Sequence, residues 1–335
     1  MNGGNGQSTS ETVTRQPVTS TDVRVPRRRW TTWIALLLFL LTVISTLAVG
    51  AQFAQDYAND RASSILDANP YADMWRNPGL LLLGVPFSFT LLGILLAHEL
   101  GHYFACRYYG ISASYPYFIP APTLIGTMGA FIRIRSPIVN RKALFDVGLA
   151  GPVVGFIFAV PALALAILYS KRIPAEQVQS AIEFGNPLLS HMLAAVLRPG
   201  VPIQDIFLHP VGRAAWVGLF ATALNLLPAG QLDGGHVVYA VSPDRHRRIS
   251  LMVVAALLLL GTPPTLHLLG LPMPAFLARL WPGWAIWGAL LTLFGFRHPR
   301  LVDPWESLDG KRRTWAAIAW LIFLLCFSPV PISLN

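Results

Sequence analysis

The sequence predicts an all-α polytopic membrane protein of about seven transmembrane helices, with a short β-hairpin or re-entrant segment beside a cluster of ionisable residues. Three observations carry this expectation. Hydrophobic residues fill 54% of the 335 positions, charged residues only 12%, and the mean hydropathy is +0.52, whereas soluble domains carry about 25% charged residues. Apolar runs of spanning length recur along the chain. Basic residues gather beside those runs, and the loops alternate in charge as the positive-inside rule requires. That clustering accounts for the net charge of +9 without calling on nucleic acid as a partner.

Residues 1–29 are rich in Gly, Ser, Thr and Gln, lack an apolar period, and read as a disordered cytoplasmic tail ahead of a polytopic membrane domain over 30–335. The tail ends in Arg27-Arg28-Arg29, next to the first apolar run at about 30–51. A cleaved signal peptide is the alternative, since Ala48-Val49-Gly50-Ala51 loosely resembles a cleavage site. The long leader and full spanning length favour a retained helix. Further runs lie at about 78–105, 146–170, 207–228, 249–270, 280–296 and 314–331.

Loop charges orient these runs. Arg24, Arg27, Arg28 and Arg29 place the N-terminus in the cytoplasm, and Asp56, Asp60, Asp67 and Asp73 outweigh Arg61 and Arg76 in an exterior first loop. Arg107, Arg133, Arg135, Arg141 and Lys142 mark the next loop as interior, as do Arg245, Arg247 and Arg248, and then Arg297, Arg300, Lys311, Arg312 and Arg313. The pattern fits seven crossings of a cell membrane, specifically a cytoplasmic membrane, with the C-terminus outside. Pro187 to Leu197 is apolar but too brief to span, so it reads as interfacial or re-entrant.

His98-Glu99-Leu100-Gly101-His102 ends the second run. Two imidazoles four apart on a helix share a face and can hold one Zn²⁺, and the Glu after the first can act on a zinc-bound water. Ionisable groups at membrane depth are costly and point to function, here hydrolysis inside or at the edge of the membrane. A zinc hydrolase needs a third protein ligand. Glu176 and Glu183 fall on the exterior side and Glu306 lies in a charged loop. Asp233 is better placed, in Asn225-Leu226-Leu227-Pro228-Ala229-Gly230-Gln231-Leu232-Asp233-Gly234-Gly235-His236. There an apolar run breaks into irregular backbone, tolerated at membrane depth where it lines a cavity. The topology brings it to the level of the two histidines. His236 is either a stand-in ligand or, after Gly234-Gly235, a helix-start residue supporting the ligands.

The remaining candidates read as structural. Asp205 and His209 have i, i+4 spacing at the exterior end of the fourth run and suit a surface pair. His191, His246, His267 and His298 are expected to face water or headgroups, and Trp281, Trp284 and Trp287 to form an interfacial belt. Cys106 and Cys326 lack CxxC spacing, so neither a disulfide framework nor a thiolate zinc site is expected.

HELGH ending one run and NLLPAGQLDGG ending another resemble the site-2 protease family of intramembrane metalloproteases, matching its HExxH and NxxPxxxLDG patterns without gaps. The resemblance implies Zn²⁺ held by His98, His102 and Asp233, with Glu99 as the general base that activates water and passes its proton to the leaving amine. It implies a role in substrate handling for Asn225. Gly126-Thr127-Met128-Gly129-Ala130-Phe131-Ile132-Arg133-Ile134-Arg135-Ser136-Pro137 resembles a segment of the photosynthetic and bacterial branch of the family. Its Phe-Ile-Arg-Ile-Arg alternation has the period of a strand. In the family such a strand can receive an extended substrate, which makes Gly126, Gly129 and Phe131 candidate substrate-binding residues. A hairpin that merely caps the site is the alternative. Ala150-Gly151-Pro152, with Gly148 and Gly155, is similar to a family helix of small residues and suits close helix packing. The resemblance covers about 78–240, the expected catalytic core, and leaves the helices of about 249–331 outside it.

The function expected on this basis is an intramembrane zinc endopeptidase acting on transmembrane segments of other proteins, with the lipid bilayer and a transmembrane protein substrate as partners. A membrane zinc transporter would need several metal sites along a path, and the sequence offers one convincing cluster. A non-proteolytic scaffold would have no need of His98, Glu99, His102 and Asp233 together.

Overall fold

A computed structural model describes residues 29–61, 70–174, 177, 182–296, 301–303 and 305–334. The expected tail falls almost wholly outside these residues, as does His298. Helix α1 (Arg29–Ala58) starts at the arginine run and is apolar on every side. Its first half leaves Trp30, Trp33 and Leu37 exposed, while Val49 and Phe53 of its second half are fully buried. After α2 (Pro70–Arg76), a 3₁₀ segment (Pro78–Gly84) leads into α3 (Val85–Tyr108), which carries the HELGH run. Helix α4 (Arg141–Tyr169) begins where the Asn140 side chain accepts the Ala143 amide, a standard N-cap.

Between α3 and α4 lies a hairpin of β1 (Tyr117–Pro120) and β2 (Thr127–Phe131), antiparallel, with Phe118 opposite Ala130 and Pro120 opposite Thr127. The register therefore carries an extra residue on β2, and Gly129 supplies the positive φ of 97° at this bulge. The sequence predicts a strand through Phe131–Arg135, yet regular pairing stops at Phe131. Beyond it only Ile134 bridges, to Ala113.

The opposite end of the bundle is closed by two small sheets, β3 (Lys171–Arg172) with β5 (Ile206–Phe207), and β4 (Ile182–Phe184) with β6 (Ile332–Leu334). The short apolar patch is helix α5 (Leu188–Leu197). At the same end Lys171 pairs with Asp60 and donates to the Tyr57 carbonyl at 2.7 Å.

Helix α6 (Pro210–Asn225) is the central element, with twelve of its sixteen residues buried. A buried helix needs no polar face, which explains its unbroken apolar sequence. After an irregular stretch come α7 (Asp233–Val241), α8 (Pro243–Leu268), α9 (Ala275–Ala278), α10 (Gly283–Phe294) and α11 (Gly310–Cys326). Four helical segments are long and apolar enough to cross a membrane: 30–58, 78–108, 141–169 and 243–268. The fourth, sixth and seventh expected runs fall short of that measure, because α6, α10 and α11 have 16, 12 and 17 residues. The protein is a largely helical membrane protein with small sheets, and the count of seven is finer than these lengths establish.

Tight backbone approach and a few polar bonds fix the core. A Cβ on Gly101 of α3 would lie 2.6 Å from the Ala150 carbonyl oxygen of α4, so the two helices meet backbone to backbone. Arg141 donates to the Ala240 and Val241 carbonyls at 2.7 and 2.9 Å, tying α4 to the C-terminal end of α7. Arg312 of α11 reaches Asp146 of α4 at 2.5 Å and Tyr109 at 3.0 Å. Burial, with the Asp146 bond, pushes the Tyr109 hydroxyl up to about 12, so it stays a proton donor at neutral pH. Trp284 departs from the expected interfacial belt. It is 1% exposed and its indole donates to the Pro329 carbonyl at 2.7 Å. Cys106 and Cys326 are buried free thiols, as the spacing implied.

Candidate metal centre

The C-terminal half of α3 faces the break between α6 and α7. Four-residue spacing stacks His98 and His102 on one face of α3, and both are buried. Asp233 opens α7, which starts as soon as the Pro228–Leu232 segment releases the chain. Asp233 Oδ2 lies 3.3 Å from Nε2 of each histidine, and the two Nε2 atoms are 3.1 Å apart. Three ligand atoms of neutral imidazole and carboxylate thus converge with lone pairs facing one another, an arrangement that a cation relieves. Tetrahedral Zn²⁺ with bonds of about 2.0 Å sets its ligand atoms about 3.3 Å apart, so donor types and spacing both fit. Among the described residues this is the one group of three or more such side chains able to hold a metal ion.

The surrounding groups orient the ligands. His102 Nδ1 donates to the Val147 carbonyl at 2.7 Å, which fixes the tautomer and leaves Nε2 for a metal. Pro152 brings no N–H for the Gly148 carbonyl, so the α4 ladder is open beside this contact. A Cβ on Gly151 would run into the His102 imidazole. Glu99 is 5% exposed, points away from the ligand set, and accepts a hydrogen bond from the Ile132 main-chain amide. Asn225 Nδ2 lies 3.2 Å from His98 Nε2.

A cavity of about 220 Å³ opens onto these groups. Phe131, Ile132 and Ile134 of the hairpin line one side, Gln231 and Leu232 the other, and His236 a third, its Cβ against Gly148. Of the sequence candidates, His98, Glu99, His102, Asn225, Phe131 and Asp233 meet here. Gly126 and Gly129 do not. Gly126 turns the hairpin against α1, where its carbonyl accepts the Ser45 hydroxyl at 2.6 Å, and Gly129 shapes the bulge. His236 lines the cavity without joining the convergent three.

Two contributors escaped the sequence. His246, expected to face water, is 2% exposed and donates from Nε2 to the Gly230 carbonyl at 3.0 Å. Ser250, one turn on, accepts the Gly230 amide at 3.1 Å. The pair pins the irregular segment that delivers Asp233. Its signal was polar residues at i, i+4 on the first turns of an apolar helix.

The fold and site define a helical membrane protein with a buried two-histidine, one-aspartate centre and a glutamate beside it. The family model for peptidase family M50 matches residues 86–261, just over half of the chain, and the chain belongs to that family, the site-2 protease family. Relatives include "Probable zinc metalloprotease EGY1, chloroplastic" of Arabidopsis thaliana, 35% identical over 221 residues, covering 64% of this chain and 40% of the relative. The protein of the same description from Oryza sativa subsp. japonica is 33% identical over 223 residues, covering 64% and 38%. "Probable zinc metalloprotease EGY2, chloroplastic" of Arabidopsis thaliana is 31% identical over 168 residues, covering 49% and 30%. The chain thus spans about two fifths or less of these relatives' length. Their chloroplastic descriptions differ from the cell-membrane expectation.

Proposed function

We propose that this protein is an intramembrane zinc endopeptidase that cleaves membrane-embedded segments of other proteins. The observation that carries the reading is the convergence of His98, His102 and Asp233 beside Glu99, in a cavity flanked by the open edge of a hairpin. His98, His102 and Asp233 hold Zn²⁺ in this reading. When bound there, the ion supplies Lewis acidity that polarises the scissile carbonyl and acidifies a water molecule. Glu99 takes a proton from that water as its oxygen adds to the carbonyl carbon, and passes the proton to the amide nitrogen as the C–N bond breaks. Asn225 steadies the reacting segment beside His98. The hairpin receives the substrate as an extended strand, which suits the chemistry because a helical peptide bond is shielded by its own backbone. Family membership and the relatives' descriptions support the zinc and the peptidase activity.

In the same reading the charge alternation sets seven crossings, with α6, α10 and α11 as short ones and the N-terminus in the cytoplasm of a cell. The core of about 78–240 carries the chemistry. A transporter would need metal sites in series, and the described residues hold one.

The test is cleavage of a tagged membrane substrate in defined vesicles by wild type and Glu99→Gln, with bound zinc measured in both. The expected outcome is loss of at least about 100-fold in rate with zinc retained. Equal processing by the variant would overturn the mechanism.

A further inference from the structure

The open edge of β2 and the glutamate are joined by one hydrogen bond, and its position in the strand gives it meaning. Along an antiparallel strand, peptide groups face the partner and the open edge in alternate residues. Beyond Phe131 the odd-numbered residues spend theirs on the β1 side. Arg133 accepts the Ser114 amide at 2.9 Å and donates to the Ser114 hydroxyl at 2.8 Å, and Arg135 donates to the Ser112 carbonyl at 2.7 Å. Ala130, Ile132 and Ile134 therefore turn their peptide groups to the other edge, and all three line the cavity. An incoming strand would pair with this edge. Yet the Ile132 amide is already committed, because it donates to the Glu99 carboxylate.

We propose that the Ile132 main-chain amide is a substrate-operated catch on the catalytic base. In the free enzyme it holds Glu99 against the strand. A substrate strand that pairs with β2 offers a carbonyl to the same N–H, and the exchange releases Glu99 toward the scissile bond. The swap trades one N–H···O bond for another, so it adds little barrier, and it ties general-base competence to an occupied edge. Ile132 is thus a positioning residue acting through its backbone. This rests on the reading of the centre as a protease site.

Two arms test it. The first compares a dipeptide reporter too short to pair with β2 against an extended peptide reaching Ala130 to Ile134, with zinc content confirmed for each variant. Ile132→Pro removes only the N–H that faces the open edge. It should raise kcat on the short reporter and raise KM for the extended peptide, each by about fivefold, the worth of one hydrogen bond. Ile132→Ala keeps the amide and should not split the two substrates. A fall on both substrates together, or no change on either, would overturn the catch. The second arm needs no turnover and no change at 132. The Ile132 amide proton should be protected from exchange in wild type, lose protection in Glu99→Ala, and regain it when a non-cleavable extended peptide is added. Protection unchanged in Glu99→Ala would overturn the proposal whether or not cleavage is seen, whereas inert wild type in the first arm would count against the protease reading alone.

Discussion

The two walls of the metal centre are built by opposite means. The histidine wall, α3 against α4, consists of continuous helices whose backbones touch at Gly101 and Ala150, so ligand positions follow from helix geometry. The aspartate wall is a break in the helices. Asp233 is held by the Pro228–Leu232 segment, which Gly230, His246 and Ser250 pin with two buried hydrogen bonds. One wall is stiff because there is no room between its parts, and the other because its polar groups are satisfied. The difference teaches that each should fail in its own way.

The sharpest break is expected on the histidine wall. Gly151→Ala places a methyl group where the His102 ring lies, and the ring must move. Bound zinc, counted per protein by atomic emission, should fall, and cleavage should drop about 100-fold, since ångström displacements of reacting groups cost that much. A Gly151→Ala protein with full zinc and full rate would show that the wall yields. The aspartate wall should fail more gently. His246→Ala leaves the Gly230 carbonyl unpartnered, which costs about 1–3 kcal/mol of stability. It should weaken zinc binding by about tenfold, as loss of a group supporting the ligands does, measured by competition with a chelator. The smallest effect belongs to the rim that joins α4 to the segment before α11. Lys142 and Glu306 form a pair at 2.5 Å, with about a third of each side chain exposed. Lys142→Gln should lower stability by less than about 1 kcal/mol in a thermal melt and leave cleavage unchanged.

Legibility in the sequence follows the same division. His98, Glu99 and His102 could be read directly, because a continuous helix turns spacing into position. Asp233 was reachable through its motif and through loop charges that put two chain breaks at one depth. The pins of the broken wall were not reachable, since His246 and Ser250 meet Gly230 only in the folded chain. The strand was overextended for a related reason. Ile132 alternates correctly for a strand, but its amide goes to Glu99, a partner that periodicity does not report. Trp284 was placed with headgroups because an indole suits them, and nothing local announced the Pro329 carbonyl it meets. The spans were overcounted because hydropathy reports burial, and α6 is buried in protein.

The length of α6 has a consequence for solvent. Its first residues abut the charged end of the bundle, where His209 packs on Tyr57 and Lys171 pairs with Asp60. Its sixteen residues rise about 24 Å, less than a hydrocarbon slab of about 30 Å. The helix therefore runs out roughly one turn before the far interface, and Asn225 and the metal centre sit at that depth. Water and protons have a short path from one side and a sealed, aromatic-packed column on the other. Hydrolysis is then fed from a single compartment, and the membrane keeps its seal while a peptide bond inside it is cut.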